Sequence, residues 1–188
     1  MRPGGGKAKG SAFERCFCKT LSLWWSDGEA DDLFYRTASS GARATVRGRQ
    51  GKGTRGHCGD VCATDSEGEP LTRVITFELK RGHNGYTIQD LLDKSSRMAE
   101  QVYEKWFTQA GIAACNAGSY TWAVVVKRDQ REPLIIMPTR PALKIFPSVV
   151  ACVHARMSVR GFEVAVVPLG SFLAYTKVDD VKKIARSV

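Results

Sequence analysis

Residues 59–80 read GDVCATDSEGEPLTRVITFELK, and the alternation at the end of this stretch decides the fold. In an extended chain successive side chains point to opposite faces, so Ile75, Phe77 and Leu79 share one face while Val74, Thr76, Glu78 and Lys80 share the other. Asp60 to Thr64 is a second short run of strand character. The turn-forming Asp65-Ser66-Glu67-Gly68 between the two predicts a hairpin. A strand that ends by presenting a carboxylate and an amine side by side needs a reason, because charges near a core are costly unless paired or bound to a metal. Asp60, at the head of the neighbouring strand, brings a second carboxylate to the same place. Two carboxylates and a carbonyl form a hard-oxygen site that suits magnesium, which takes one or two protein carboxylates, several waters and substrate phosphate oxygens. A lysine beside such a site can orient or activate the attacking water.

Working outward, Ser11-x-x-Glu14 reads as a capping box, and Phe13, Phe17, Leu21 and Trp24 recur at helical spacing, predicting a first helix that ends near Asp27-Gly28. Leu33 to Thr37 reads as a strand. On the other side of the hairpin, Thr87-x-x-Asp90 resembles a second capping box. Ile88, Leu91, Leu92, Met98, Val102 and Trp106 then predict one long helix stopping at Gly111. Tyr120 to Lys127, Leu134 to Met137, Val149 to Val153 and Phe162 to Val167 read as strands, and Asp179 to Arg186 as a terminal helix. Of the adjacent Trp24 and Trp25, Trp24 is expected in the core, leaving Trp25 to offer a stacking surface or an interface residue.

The 188 residues, 43% apolar and 25% charged, fit one globular domain and exclude a fibrous or disordered chain. Lys and Arg outnumber Asp and Glu by 28 to 19, a net charge of +9, which points to polyanionic partners. The densest charge lies in residues 36–57, RTASSGARATVRGRQGKGTRGH, where no acidic residue interrupts Arg36, Arg43, Arg47, Arg49, Lys52 and Arg55. Too Gly-rich for a helix and too charged for a core, this segment reads as an exposed loop able to track phosphates. Residues 1–10 read as a flexible basic arm. No apolar stretch approaches membrane-spanning length and the N-terminus lacks a signal-peptide centre, so a soluble, cytoplasmic protein with no membrane partner is expected. The six cysteines are then expected to be reduced thiols, neither Cys16-x-Cys18 nor Cys58-x3-Cys62 having the usual zinc spacing.

Gly59-Asp60 followed by Glu78-Leu79-Lys80, with a helix before and a long helix after, resembles the PD-(D/E)xK nuclease superfamily over residues 11–140. Gly59 stands where the motif's name has proline. The resemblance implies an α/β, restriction-endonuclease-like core: a mixed β-sheet flanked by helices in α-β-β-β-α-β order, with residues 141–188 as a C-terminal extension packed on it. It implies that Asp60 and Glu78 hold magnesium, for which manganese substitutes, with the Leu79 carbonyl and Glu14, and that Lys80 positions the attacking water. Arg36-Thr37-Ala38-Ser39-Ser40 is similar to a segment of archaeal Holliday junction resolvases, Ser40 matching their functional serine, although about twenty residues separate it here from Asp60. FERxxCxxLSLWW, RTxSSGxRAT and GD…ELKRG also resemble small phage-type endonucleases, which implies action in a host cytoplasm. DNA, branched DNA in particular, is the implied partner, with Arg36, Ser39, Arg43, Arg47, Arg49, Lys52, Arg55 and Gln89 as its contacts. A homodimer follows from the resolvase likeness, since symmetric cutting of two strands needs two sites. Two other readings stay open: a duplex endonuclease with sequence or end preference, and a non-catalytic nucleic-acid-binding module. His57 and His83 receive no role.

Overall fold

Runs of β-branched and aromatic residues with apolar side chains on both faces form strands covered on both sides, and such a sheet organises this chain. The computed structural model describes residues 5–37, 59–93, 99–147, 153–159 and 161–188. A 21-residue helix, α1 (Gly5–Trp25), is followed by two short antiparallel strands, β1 (Phe34–Arg36) and β2 (Val61–Ala63). Then come α2 (Glu69–Val74), β3 (Ile75–Arg81), α3 (Gln89–Leu92), α4 (Val102–Ala117), β4 (Thr121–Lys127), β5 (Leu134–Pro138), α5 (Thr139–Ile145), β6 (Ala155–Val159), β7 (Phe162–Pro168), α6 (Leu169–Tyr175) and α7 (Val178–Ala185). β3 to β7 form one mixed sheet in the order β3-β4-β5-β7-β6. The β3–β4 pair is parallel, joined by the α4 crossover, and the other pairs are antiparallel.

Alternation along the strands divides the core into two layers. Ile75, Phe77, Leu79, Ala123, Val125, Ile135 and Met137 pack with Phe17, Leu21 and Trp25 of α1 and with residues of α2, α5, α6 and α7. Val124, Val126, Ile136, Val164 and Val166 pack with Tyr103, Trp106, Phe107 and Ala110 of α4. The α/β architecture with a mixed sheet flanked by helices is thus as expected. Residues beyond Pro141, read from the sequence as an extension, supply β6 and β7, with β7 hydrogen-bonded between β5 and β6.

Four local expectations are corrected. The first helix begins at Gly5, so Ser11 and Glu14 lie inside it and cap nothing, and residues 5–10 form its first turns instead of a loose arm. The expected hairpin is absent: β2 pairs with β1, and α2, with Pro70 in its first turn, separates β2 from β3. The expected long helix is two helices, because a capping box between Gln101 and Glu104 starts α4 afresh. That helix runs through Gly111 and stops at Gly118, whose φ of +69° makes the left-handed C-terminal turn. Finally, Trp25 is the core tryptophan, 3% exposed, with its Nε1–H donating to the Glu67 carbonyl at 3.0 Å, while Trp24 is partly buried against Phe172. The stretch 149–152 of one expected strand lies outside the described residues; β6 starts at Ala155.

Gly59 shows why this position departs from proline. Its φ is +82°, which proline cannot reach, and a Cβ there would lie 2.6 Å from the Phe77 carbonyl oxygen and 2.8 Å from Thr76 Cγ2. The carbonyl belongs to a strand and cannot yield as a side-chain tip would. Gly59→Ala is therefore expected to destabilise the protein by about 2–4 kcal/mol, read as a fall in the urea midpoint, and to push Asp60 off β3. A variant as stable as the parent would show that the close approach is unimportant.

Candidate active site

β3 is an edge strand of the five-stranded sheet, and its open edge is where Asp60 docks. The Asp60 N–H donates to the Phe77 carbonyl at 2.8 Å, and the Leu79 N–H donates to Asp60 Oδ2 at 2.7 Å. Asp60 thus grips the residues on either side of Glu78. Its own carbonyl accepts the Thr37 N–H at 3.1 Å, tying the junction to the end of β1. The adjacency of Asp60 and Glu78 expected from a hairpin is reached by this backbone docking instead.

Glu78 and Lys80, two residues apart, project together from the α4 side of β3. Lys80 Nζ donates to Glu78 Oε1 at 2.6 Å, and the two side chains are only 15% and 6% exposed. A second partner comes from α4: Gln109 Nε2 donates to the same Glu78 oxygen at 2.7 Å, and Gln109 Oε1 accepts from Lys80 at 3.2 Å. Lys80 also lies over the Trp106 ring, 5.8 Å from its centroid. Taking two charges this far out of water is costly, and a buried ion pair is poor evidence of stabilisation. The pair is therefore a candidate for chemistry.

The Asp60 carboxyl is pushed up to about 7, first by burial and then by the negative charge of Glu78, with Glu14 adding to the effect. The Leu79 N–H and the Lys80 ammonium oppose the rise without cancelling it. A buried carboxyl with a second carboxylate nearby keeps its proton to higher pH unless a cation takes the proton's place. Among the described residues no three His, Cys, Asp or Glu side chains gather into a metal cage. The donors nevertheless fit magnesium, which needs only one or two hard carboxylates and completes its shell with water and phosphate. Asp60 and Glu78 could supply two.

Glu14, on α1, is held by Arg36: Nη1 donates to Glu14 Oε2 at 2.9 Å and to Ser11 Oγ at 2.7 Å. The ion pair places the Glu14 charge at the margin of the site, and Arg36, read from the sequence as a DNA contact, is engaged on α1. Cys18, nearby, has its thiol pushed up to about 12, chiefly by burial and also by Cys62, Glu14 and Asp60, which leaves it a protonated core residue and no nucleophile. Ser39, Ser40, Arg43, Arg47, Arg49, Lys52 and Arg55 lie outside the described residues, as do His57, Cys58 and Cys152. Gln89 is exposed at the start of α3, whereas Gln109, which the sequence reading passed over, makes the contacts.

A family model described as "Phage putative PDDEXK endonuclease" matches residues 5–183, nearly the whole chain. No curated protein and no solved structure matches.

Proposed function

Because the chain belongs to the family of phage PDDEXK endonucleases, we propose that it is a magnesium-dependent endonuclease hydrolysing phosphodiester bonds of DNA at Asp60, Glu78 and Lys80. The observation that carries this reading is the docking of Asp60 on either side of Glu78, with Lys80 bonded to the same carboxylate. Asp60 and Glu78 would hold the metal with the Leu79 carbonyl, whereas Glu14, expected from the resemblance as a further donor, is paired with Arg36 at the margin and would add only its charge. When bound, the ion supplies charge stabilisation at the phosphate and a more acidic water. Lys80 orients the attacking water and offsets negative charge beside Glu78.

Arg43, Arg47, Arg49, Lys52 and Arg55, with Ser39 and Ser40, supply the phosphate-tracking side of the proposal, resting on their charge and spacing alone. Branched DNA is the proposed substrate, cut by a homodimer that places one site on each strand. A panel of four-way junction, flap, linear duplex and single strand, each with magnesium or chelator, tests this. Preferential cutting of the junction supports it; equal cutting of plain duplex assigns a general endonuclease, and tight binding with no cutting leaves only a binding module.

Gln109 supplies a narrower prediction. The Gln109 amide both donates to Glu78 and accepts from Lys80, which alanine cannot do, so Gln109→Ala is expected to lower kcat by roughly ten- to hundredfold with little change in KM. Gln109→Glu sets a third carboxylate against Glu78 and is expected to be at least as damaging. Steady-state kinetics check both, and a wild-type kcat in Gln109→Ala would remove the residue from the site.

A further inference from the structure

The residues that follow Lys80 form an exposed aromatic loop, held by hydrogen bonds, that the nuclease chemistry leaves unused. Gly82, with φ of +84°, turns the chain out of β3. Asn84 clamps the loop to the β4–β5 turn: its Nδ2 donates to Asp129 Oδ2 at 2.8 Å and its Oδ1 accepts the Asp129 N–H at 2.9 Å. Arg81 pairs with the same aspartate at 2.5 Å. The Tyr86 N–H closes a turn onto the His83 carbonyl at 3.3 Å, and the Thr87 N–H donates to Asp90 Oδ2 at 2.6 Å where α3 begins. A loop pinned at both ends has little entropy left to lose on binding.

This loop presents rings beside the reacting centre. His83 packs edge-on against Trp106, centroids 4.9 Å apart, and Tyr86 lies 6.4 Å from His83 and is 43% exposed. Trp106 is the ring over which Lys80 sits, so His83 and Lys80 flank one indole. We propose that His83 and Tyr86 form a stacking site for an unpaired nucleobase of the strand whose phosphate lies at Lys80. In a continuous duplex each base is already stacked on its neighbours and has no face to offer. The substrate class is therefore DNA with an unpaired nucleotide beside the scissile phosphate, as at a branch point, flap or single strand.

The alternative use of His83, an ionic contact to phosphate, is disfavoured by its surroundings. Burial and the Lys80 ammonium both lower its pKa, favouring an uncharged imidazole that offers a π-face and no full charge. Trp24 and Trp25, the sequence's own candidates for stacking, are taken up by the core.

The inference rests on the nuclease reading for the phosphate at Lys80, and its test separates the two. Binding of a labelled oligothymidylate, the same strand made abasic, and a matched duplex is measured in chelator, so that strands stay intact. Wild type, His83→Ala, Tyr86→Ala and Tyr86→Phe are compared. Tyr86→Ala is expected to weaken oligothymidylate binding about tenfold, with Tyr86→Phe retaining most of it. Duplex binding stays unchanged in all variants, which also reports intact folding, and wild type binds the abasic strand as Tyr86→Ala binds the normal one. Equal losses on strand and duplex, or no loss on either, would overturn the stacking site. Absence of magnesium-dependent cleavage by wild type would instead defeat the nuclease reading and leave these ratios standing.

Discussion

Replacing Glu78 with glutamine is expected to lower magnesium-dependent strand cleavage by roughly a thousandfold, on the order of 4 kcal/mol of transition-state stabilisation. The amide keeps the shape of the side chain and an oxygen for Lys80 and Gln109, but it removes the negative charge that pairs with the ammonium and that a bound metal would need. Lys80→Met is expected to cost a comparable factor. Because both residues belong to one network, the double variant should be little worse than either single one. Folding serves as the internal control. Glu78→Gln leaves a mostly buried ammonium without its counter-charge and is expected to lose stability, whereas Glu78→Gln with Lys80→Met removes both charges and should recover it. A double variant that is stable and inactive separates chemistry from folding.

Asp60→Asn should destroy activity while stabilising the metal-free protein. The fold raises the Asp60 carboxyl from the usual 3.8 to about 7, so between those values the folded protein binds more protons than the unfolded chain. Stability contributed by this group is therefore full in acid, falls as pH rises, and carries its whole penalty above about pH 7. Asparagine can still accept from the Leu79 N–H and never ionises, so at pH 8 the variant is expected to gain roughly 2–4 kcal/mol over metal-free wild type, with no gain at pH 4. Magnesium should reverse the order by stabilising wild type and leaving Asp60→Asn unmoved. Thermal melts at both pH values, with and without the ion, check this. A variant less stable than wild type at pH 8 would mean that burial and the nearby Glu78 charge do not raise the Asp60 carboxyl.

Much of the candidate site's geometry was legible because it is local. Glu78 and Lys80 share a face through the two-residue period of a strand, and no tertiary knowledge is needed to place them together. Asp60 was brought to them on the wrong grounds, since the assumed hairpin is a docked junction with α2 in between. Pro70 just inside a short polar-started segment was the signal of that helix, outweighed by the turn residues before it. The long-helix expectation failed similarly: it carried the apolar spacing across the polar stretch 93–97, DKSSR, between Leu92 and Met98, while Gln101-x-x-Glu104 marked a new start. Trp25 rather than Trp24 faces the core because Phe17, Leu21 and Trp25 follow one another at i+4, the stripe α1 buries. Gln109 was not legible, for its role depends on where α4 lies over β3, a tertiary fact no local period carries. Gly59 could be read as a variant of the motif, but its necessity shows only in the 2.6 Å approach of the Phe77 carbonyl.

The most direct test of the whole account is a cleavage time course on branched and linear DNA, with magnesium or with chelator, comparing wild type with the Glu78→Gln, Lys80→Met double variant. Wild type is expected to cut only when the ion is present, and a double variant that melts normally is expected not to cut at all. Cutting that persists in chelator, or in the double variant at the wild-type rate, would contradict this expectation.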